Sequence, residues 1–437
     1  MELQKYKNEK IALFGKPRAF EFDELQSILG RFNAELVSGY EDGVLLVVEG
    51  AVMPTPLQLK AEELYEEGSV EFCSIEEFEK AAAKAIEPKK VLMHLKLAAN
   101  QEKIIAYLQN DYIDDTLFLE ILKLYRFGGE NFFENDTNRD VTAALIRRFY
   151  NEYEKNHNIQ YSYIGLLGVV EQSEDPKLLE TIFSLQPVQE ALQNKNDPNT
   201  KLLTLFALHP ASSTKILSSI VKSGNTELIH TIAQREHLHE TIQQTLLERN
   251  DPDIDNALSH AKELDEPTIK TLIERGYANI LSASLNLDQK RFDMLCENDS
   301  IAMNETLTKS MQKRLFKEEK HRRNLARNPA CILTKELLAL GDDTIRSLVY
   351  RYHNLEDTEL SVDGYEASLA ANPTTPKEVL EEIFSKNIHE ANEALASNVA
   401  TPVDILYQLS FDMRYAQKVK TNPAFGEHIK TLHAIGV

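Results

Sequence analysis

Tryptophan is absent from the 437 residues, and glycine (16), proline (15) and cysteine (3) are all scarce. So few turn formers argue against an all-β design and for helices. Cys73, Cys296 and Cys331 are odd in number, widely spaced and without a CxxC pair, which excludes a zinc knuckle or a disulfide framework and reads as small buried side chains in a reducing compartment. Basic residues are also in deficit: 48 Lys and Arg face 69 Asp and Glu, a net charge of −21. Polyanions need a cationic surface, so nucleic acid and an acidic membrane leaflet are disfavoured as partners of the chain as a whole. The longest apolar run, Tyr163 to Val170, is too short to span a bilayer, and Met1-Glu-Leu-Gln-Lys-Tyr-Lys leads into charged residues, so a cytoplasmic location is expected.

What is present begins with a compact α/β pattern. Lys10 to Gly15 (KIALFG), Glu35 to Val37, Val44 to Val48 and Val70 to Cys73 read as strands. Phe22, Leu25, Leu29 and Phe32 recur at helical spacing; Thr55-Pro56 opens a helix that stops at Gly68; Ser74 caps another, Ile75 to Ile86, with Glu77 as its capping-box partner. The order β-α-β-β-α-β-α, with fully apolar strands, predicts a parallel sheet covered on both faces. Residues 1–88 are therefore a small α/β module, and Glu87-Pro88-Lys89-Lys90 marks its end.

KIALFG with the helix FDELQSILGRFNAELV, the segment TPLQLKAEELYEEGSVEF, and SIEEFEKA together resemble a BRCT domain, with Phe78 where that family usually has tryptophan. The resemblance implies a module that mediates protein contacts, often in DNA replication or repair. Phosphopeptide-binding members use a Ser/Thr before the glycine after the first strand and a lysine in the second helix. Lys60 matches the lysine, but Phe14 replaces the hydroxyl; Lys16 is a substitute point charge, and the competing reading makes Lys16 and Lys60 solvated surface lysines. Gly15-Lys-Pro-Arg holds one glycine, which excludes a dinucleotide fingerprint.

Residues 89–170 read as a helical region that either starts a repeat array or stands apart, its aromatic stretch Tyr125 to Tyr163 (Phe132, Phe133, Phe149, Tyr150) expected in a core. Residues 171–437 carry an internal repeat. Leu369-Ala-Ala-Asn372-Pro373-Thr-Thr-Pro376, Leu395-Ala-Ser-Asn398-Val-Ala-Thr-Pro402 and Val419-Lys-Thr-Asn422-Pro423 are the clearest copies; Leu325-Ala-Arg-Asn328-Pro329 and Ile301-Ala-Met-Asn304 are looser. The gap between Asn328 and Asn372 predicts a degenerate copy at Asn354 with an irregular loop at Glu356 to Asp363. Asp175-Pro176, Asp197-Pro198, Asn225-Thr226 and Asp251-Pro252 extend the period backwards, and Leu205 to Pro210 and Leu97 to Asn100 echo it. Asparagine is expected to end each helix in the left-handed conformation, and Thr-Pro to start the next, threonine capping. Such helix pairs stack into an all-α right-handed solenoid. The signature resembles leucine-rich repeat variant and, more broadly, HEAT-like repeats; the clustered cysteines of an iron–sulfur site are missing.

No nucleotide loop, nucleophile elbow or HExxH is found, and no cofactor or metal is expected. Asp251-Pro-Asp253-Ile-Asp255-Asn256 lacks the glycine and glutamate of a calcium loop and reads as a cap. His230, His237 and His239, followed by Glu240, do not share one helical face. Glu62-Glu63 and Glu66-Glu67 read as solvated. The sharpest anomaly is basic: Lys309, Lys313, Arg314, Lys317, Lys320, Arg322, Arg323 and Arg327 oppose only Glu318 and Glu319, and Lys313, Lys317 and Lys320 are expected on one helical face beside Arg314. Either this segment grips an acidic peptide, a phosphate or nucleic acid, or it balances acidic neighbouring repeats. The first expectation is thus a non-enzymatic scaffold binding a protein partner. The second is a nucleic-acid-binding protein using residues 309–327. The third is a HEAT-like repeat enzyme acting on DNA, for which no residue speaks.

Overall fold

A computed structural model describes every residue except 130, 152–156, 195, 196, 198, 357 and 435–437. A small parallel sheet at the N-terminus is followed by helices, and the chain forms two compact units, Met1–Ile232 and Ala233–Val437.

The first unit opens on strands β1 (Lys10–Phe14), β2 (Glu35–Ser38), β3 (Val44–Glu49) and β4 (Glu71–Ser74), interleaved with helices α1 (Phe22–Leu29), α2 (Thr55–Glu67) and α3 (Ile75–Lys84) in the expected order. The sheet order is β2-β1-β3-β4, all parallel, with Ile11 opposite Leu36 and Leu46. Successive strand residues face opposite sides. Ile11, Leu13, Leu46 and Val48 pack with Leu25, Leu29 and the fully buried Phe78, while Ala12, Phe14 and Val47 pack with Ala61 and Leu64. That two-sided burial is why the central strands β1 and β3 are largely apolar.

Local signals placed the helices, with two adjustments. The capping box belongs to α1, where the Glu21 carboxylate and the Glu24 side chain bond each other's backbone amides; Ser74 Oγ accepts from Glu77 N at 3.2 Å as a simple cap. α1 closes in a 3-10 turn, Gly30–Phe32. Gly68 ends α2 at φ +61°, as a left-handed cap requires. Lys84 ends α3, and Pro88 opens the next helix at its first position. Of the aromatic stretch, Tyr125, Phe127 and Phe132 form edge-to-face pairs at 4.9 and 5.2 Å in the core; Tyr153 lies outside the described residues.

In the second unit, short helices succeed one another and pack on their neighbours. Glu319–Leu325 packs on the 3-10 turn Asp299–Met303 and on Asp343–Tyr352; Glu366–Ala371 packs on Asp343–Tyr352 and on His389–Ser397, which in turn packs on Ala416–Thr421. Four of these elements end on an asparagine, but not in the left-handed region: Asn304, Asn372, Asn398 and Asn422 are extended, with φ of −70°, −89°, −79° and −73°. The side chain explains the choice. Asn328 Nδ2 donates to the carbonyls of Ala302 (3.0 Å) and Asn304 (2.9 Å); Asn398 Nδ2 to Ala370 (2.8 Å) and Asn372 (2.9 Å); Asn422 Nδ2 to Ala396 (3.1 Å) and Asn398 (3.0 Å). Each Oδ1 accepts from the amide two residues on, at Ala330, Ala400 and Ala424. All these asparagines are buried, so each must find its partners inside the protein.

The missing copy is His353 rather than Asn354. Its Nε2 reaches the Leu325 carbonyl (3.1 Å), Nδ1 lies 3.0 Å from Thr334 Oγ1, and its own carbonyl accepts from Asn372 Nδ2 (2.8 Å). No helix is assigned to described residues between His353 and Tyr365, where the irregular loop was expected. The threonine also has another role. Pro376 and Pro402 are the caps of the following helices, while Thr375 Oγ1 and Thr401 Oγ1 turn back to Leu369 and Leu395 carbonyls, both at 2.7 Å. The echo at Leu205 to Pro210 shares this geometry: Ser212 Oγ bonds the Phe206 carbonyl (2.7 Å), and His209 Nδ1 accepts from Ala211 N (3.2 Å). Asn100, Asp175, Asn225 and Asp251 instead cap helices, and Pro198 lies outside the described residues.

Candidate functional site

The basic segment does not form one helix. Thr308 caps Lys309–Phe316, Lys317 ends it, and Glu319–Leu325 begins a second helix. Lys313 and Lys320 therefore sit on different helices, and the cations of both fall into two groups by their partners. Arg314 pairs with Asp293 and lies 5.2 Å over the Phe292 ring. Lys320 Nζ lies 3.0 Å from Glu297 and 3.4 Å from Glu318. Arg322 is half-buried, its Nε donating to the Phe316 carbonyl (3.0 Å). These three are tied down, two of them to carboxylates contributed by the helical segment before. Lys309, Lys313, Lys317, Arg323 and Arg327 are exposed and have no carboxylate partner among the described residues. Hydrogen bonding to Asp293 raises the Arg314 pKa, and bonding to Glu297 raises that of Lys320; both remain charged but locally neutralised.

Within the second helix His321 is wholly buried, with Glu318 Oε2 at 3.6 Å, beyond hydrogen-bond range. Burial, with Lys320 adding to it, pushes the imidazole pKa down, so the ring is neutral where the patch meets the core. No sequence pattern distinguished it from the surrounding charges.

The N-terminal candidates are placed differently. Lys60 reaches Glu63 (2.9 Å) and lies 5.3 Å over the Tyr40 ring, and hydrogen bonding to Glu63 raises its pKa. Lys16 is exposed; its backbone exchanges two 2.7 Å hydrogen bonds with Ala51. That exchange brings the chain so close that a Cβ on Gly15, at φ +104°, would stand 2.6 Å from the Ala51 carbonyl oxygen. The turn after β1 carries an anion of its own: buried Glu79 accepts from the amides of Arg18 (2.8 Å) and Ala19 (2.9 Å) through Oε1. Two donors that would suit a phosphate are occupied by a carboxylate from α3.

Among the other candidates, Asp251 accepts from Asp253 N as a helix cap, and His239 Nδ1 caps the helix Glu240–Leu247. His237 Nδ1 faces Glu263 at 3.1 Å. Among the described residues no three His, Cys, Asp or Glu side chains converge as a metal site, and no helix is long and apolar enough to cross a membrane. Cys296 and Cys331 are buried and Cys73 is half-buried; burial raises the Cys73 thiol to about 12 and the Cys331 thiol to about 11, so neither is a ready nucleophile. No protein-family model matches the chain, and neither a curated protein nor a solved structure is found to resemble it.

Proposed function

We propose that this chain is a non-enzymatic protein-interaction scaffold, a BRCT-like module of residues 1–88 followed by helical repeats of the leucine-rich-repeat-variant and HEAT-like kind, and that the repeats bind an acidic segment of a protein partner. The observation that carries this reading is the division of the basic segment. Lys313, Lys317 and Arg323 are exposed without a carboxylate partner among the described residues, although the chain carries an excess of acid and pairs Arg314 and Lys320 with it. Unpaired cations on a chain of net charge −21 attract an acidic peptide locally, while the surrounding negative field opposes a long polyanion. Stacked repeats of this kind form a solenoid whose long surface suits an extended partner.

The test is titration of the whole chain with a labelled oligoglutamate peptide and, separately, a labelled DNA duplex. The expected result is peptide binding that is lost in Lys313→Glu/Lys317→Glu/Arg323→Glu and retained in Arg314→Ala. Duplex binding that depends on those three residues and exceeds peptide binding overturns the reading and favours a nucleic-acid-binding protein.

A further inference from the structure

The carboxylates Glu62 and Glu66, which sequence alone leaves in solvent, stand on the face of α2 that lines a groove of about 490 Å³. Glu49, at the end of β3, and Met53 supply one wall, and Phe72 of β4 lies across from Tyr65. Tyr65 is 75% exposed, and its ring meets Phe72 edge-on at 5.5 Å, so an aromatic step stands open to water beside the half-buried Met53. Phe72 and Met53 continue inward into the buried layer of Phe14 and Leu64.

Around this apolar floor the charge is of one sign. Glu49, Glu62 and Glu66 are exposed, and no cation pairs with them among the described residues. The nearby cation of α2, Lys60, is taken by Glu63 on a different stripe of the helix. Glu62 and Glu66, four residues apart on one helix, repel each other, and a bound cation removes that repulsion. Cation–aromatic attraction acts in the same sense, since Tyr65 offers an open ring face beside the carboxylates.

We infer that this groove binds an extended basic peptide, with an apolar side chain seated against Met53, Tyr65 and Phe72 and flanking Lys or Arg side chains paired with Glu49, Glu62 and Glu66. The occupant follows from charge complementarity and from the aromatic step, which gives an apolar anchor a pocket between the charges. This site belongs to the first unit, the cations of residues 309–327 to the second, and it has the opposite preference. The inference therefore goes beyond the scaffold reading, and either can fail alone.

The experiment is fluorescence anisotropy of the full chain against a labelled peptide with a central phenylalanine flanked on each side by two Arg or Lys residues. Its companions are the same peptide with glycine for phenylalanine, and one with Glu for each cation. Binding of the first probe is expected to weaken about tenfold or more in Glu62→Gln/Glu66→Gln and in Tyr65→Ala, all exposed positions, and to be unchanged in Lys313→Glu/Lys317→Glu. Equal binding of the phenylalanine and glycine probes, or indifference to Glu62→Gln/Glu66→Gln, overturns the site. Concentration-dependent self-association of the unmodified chain, abolished by either charge variant, overturns the occupant by making it the basic segment of a second copy.

Discussion

Asn398 reaches across one repeat to Asn372: its Nδ2 donates to the Asn372 carbonyl at 2.9 Å, and Asn422 makes the same bond to Asn398 at 3.0 Å. Asn398 is at once donor to the turn before it and acceptor for the turn after it. The buried amides therefore form successive rungs, and loss of one, as at Asn398, removes the side-chain donor of two carbonyls and the acceptor of one backbone amide at once.

Asn398→Ala is expected to cost about 3 kcal/mol or more, because buried polar groups left unmade cost about 1–3 kcal/mol each. Asn398→Asp places a carboxylate against the Ala370 and Asn372 carbonyls, so its folded pKa rises above the ordinary value. Whatever stability the protonated acid restores is fully present below about pH 4, the unfolded aspartate value, and is lost as pH rises from there through the raised folded pKa. Urea unfolding of both variants at acid and neutral pH checks the sign.

Acid should weaken the native second unit through His321 and His353. Burial is the main cause holding both pKa values below the ordinary 6.5. The folded state then binds fewer protons than the unfolded chain, so their contribution is complete above pH 6.5 and declines as pH falls below it. His321→Leu, which removes one of the two titrating rings, is expected to flatten the slope of unfolding free energy against pH in that window. An unchanged slope removes His321 from the account.

Val52 carries a positive φ of 51° while its side chain is 83% exposed. A β-branched residue pays for that conformation with little packing in return. Val52→Asn should stabilise the first unit by about 1 kcal/mol, the usual order of left-handed strain. Thermal unfolding measures it directly.

Glu79 anchors the turn after β1 with two amide bonds and is fully buried. Glu79→Ala should cost about 2 kcal/mol, since two partly buried amides lose their acceptor. Glu79→Gln keeps an oxygen for them and should cost less. Hydrogen exchange at Arg18 and Ala19 will separate the two, with faster exchange expected only in the alanine variant.

The sheet was legible because its strands are short apolar runs bounded by turn residues, and each apolar position has one of two faces to fill. The helical segments were legible for the same local reason, but the role of the recurring asparagine was not. Asn398 looks like a left-handed helix end until the carbonyls of the preceding repeat are brought beside it, and Thr401 looks like a cap until its hydroxyl is seen bonding backwards to Leu395. The basic segment hides its break because Lys317-Glu318 holds neither glycine nor proline. Glu62 and Glu66 read as solvated for a related reason: the apolar half of their groove comes from Met53 and Phe72, and only folding brings these to α2.

Between Asn372 and Asn422 each asparagine rung ties a repeat only to the one before it, over 26 residues and then 24. Stretched from its ends, that part of the chain would therefore yield stepwise, each repeat giving up its rung and its packed helix together. Every step releases the contour of one repeat, roughly 80–90 Å at about 3.3–3.6 Å per residue. The length of each increment would be set by the spacing of the asparagines.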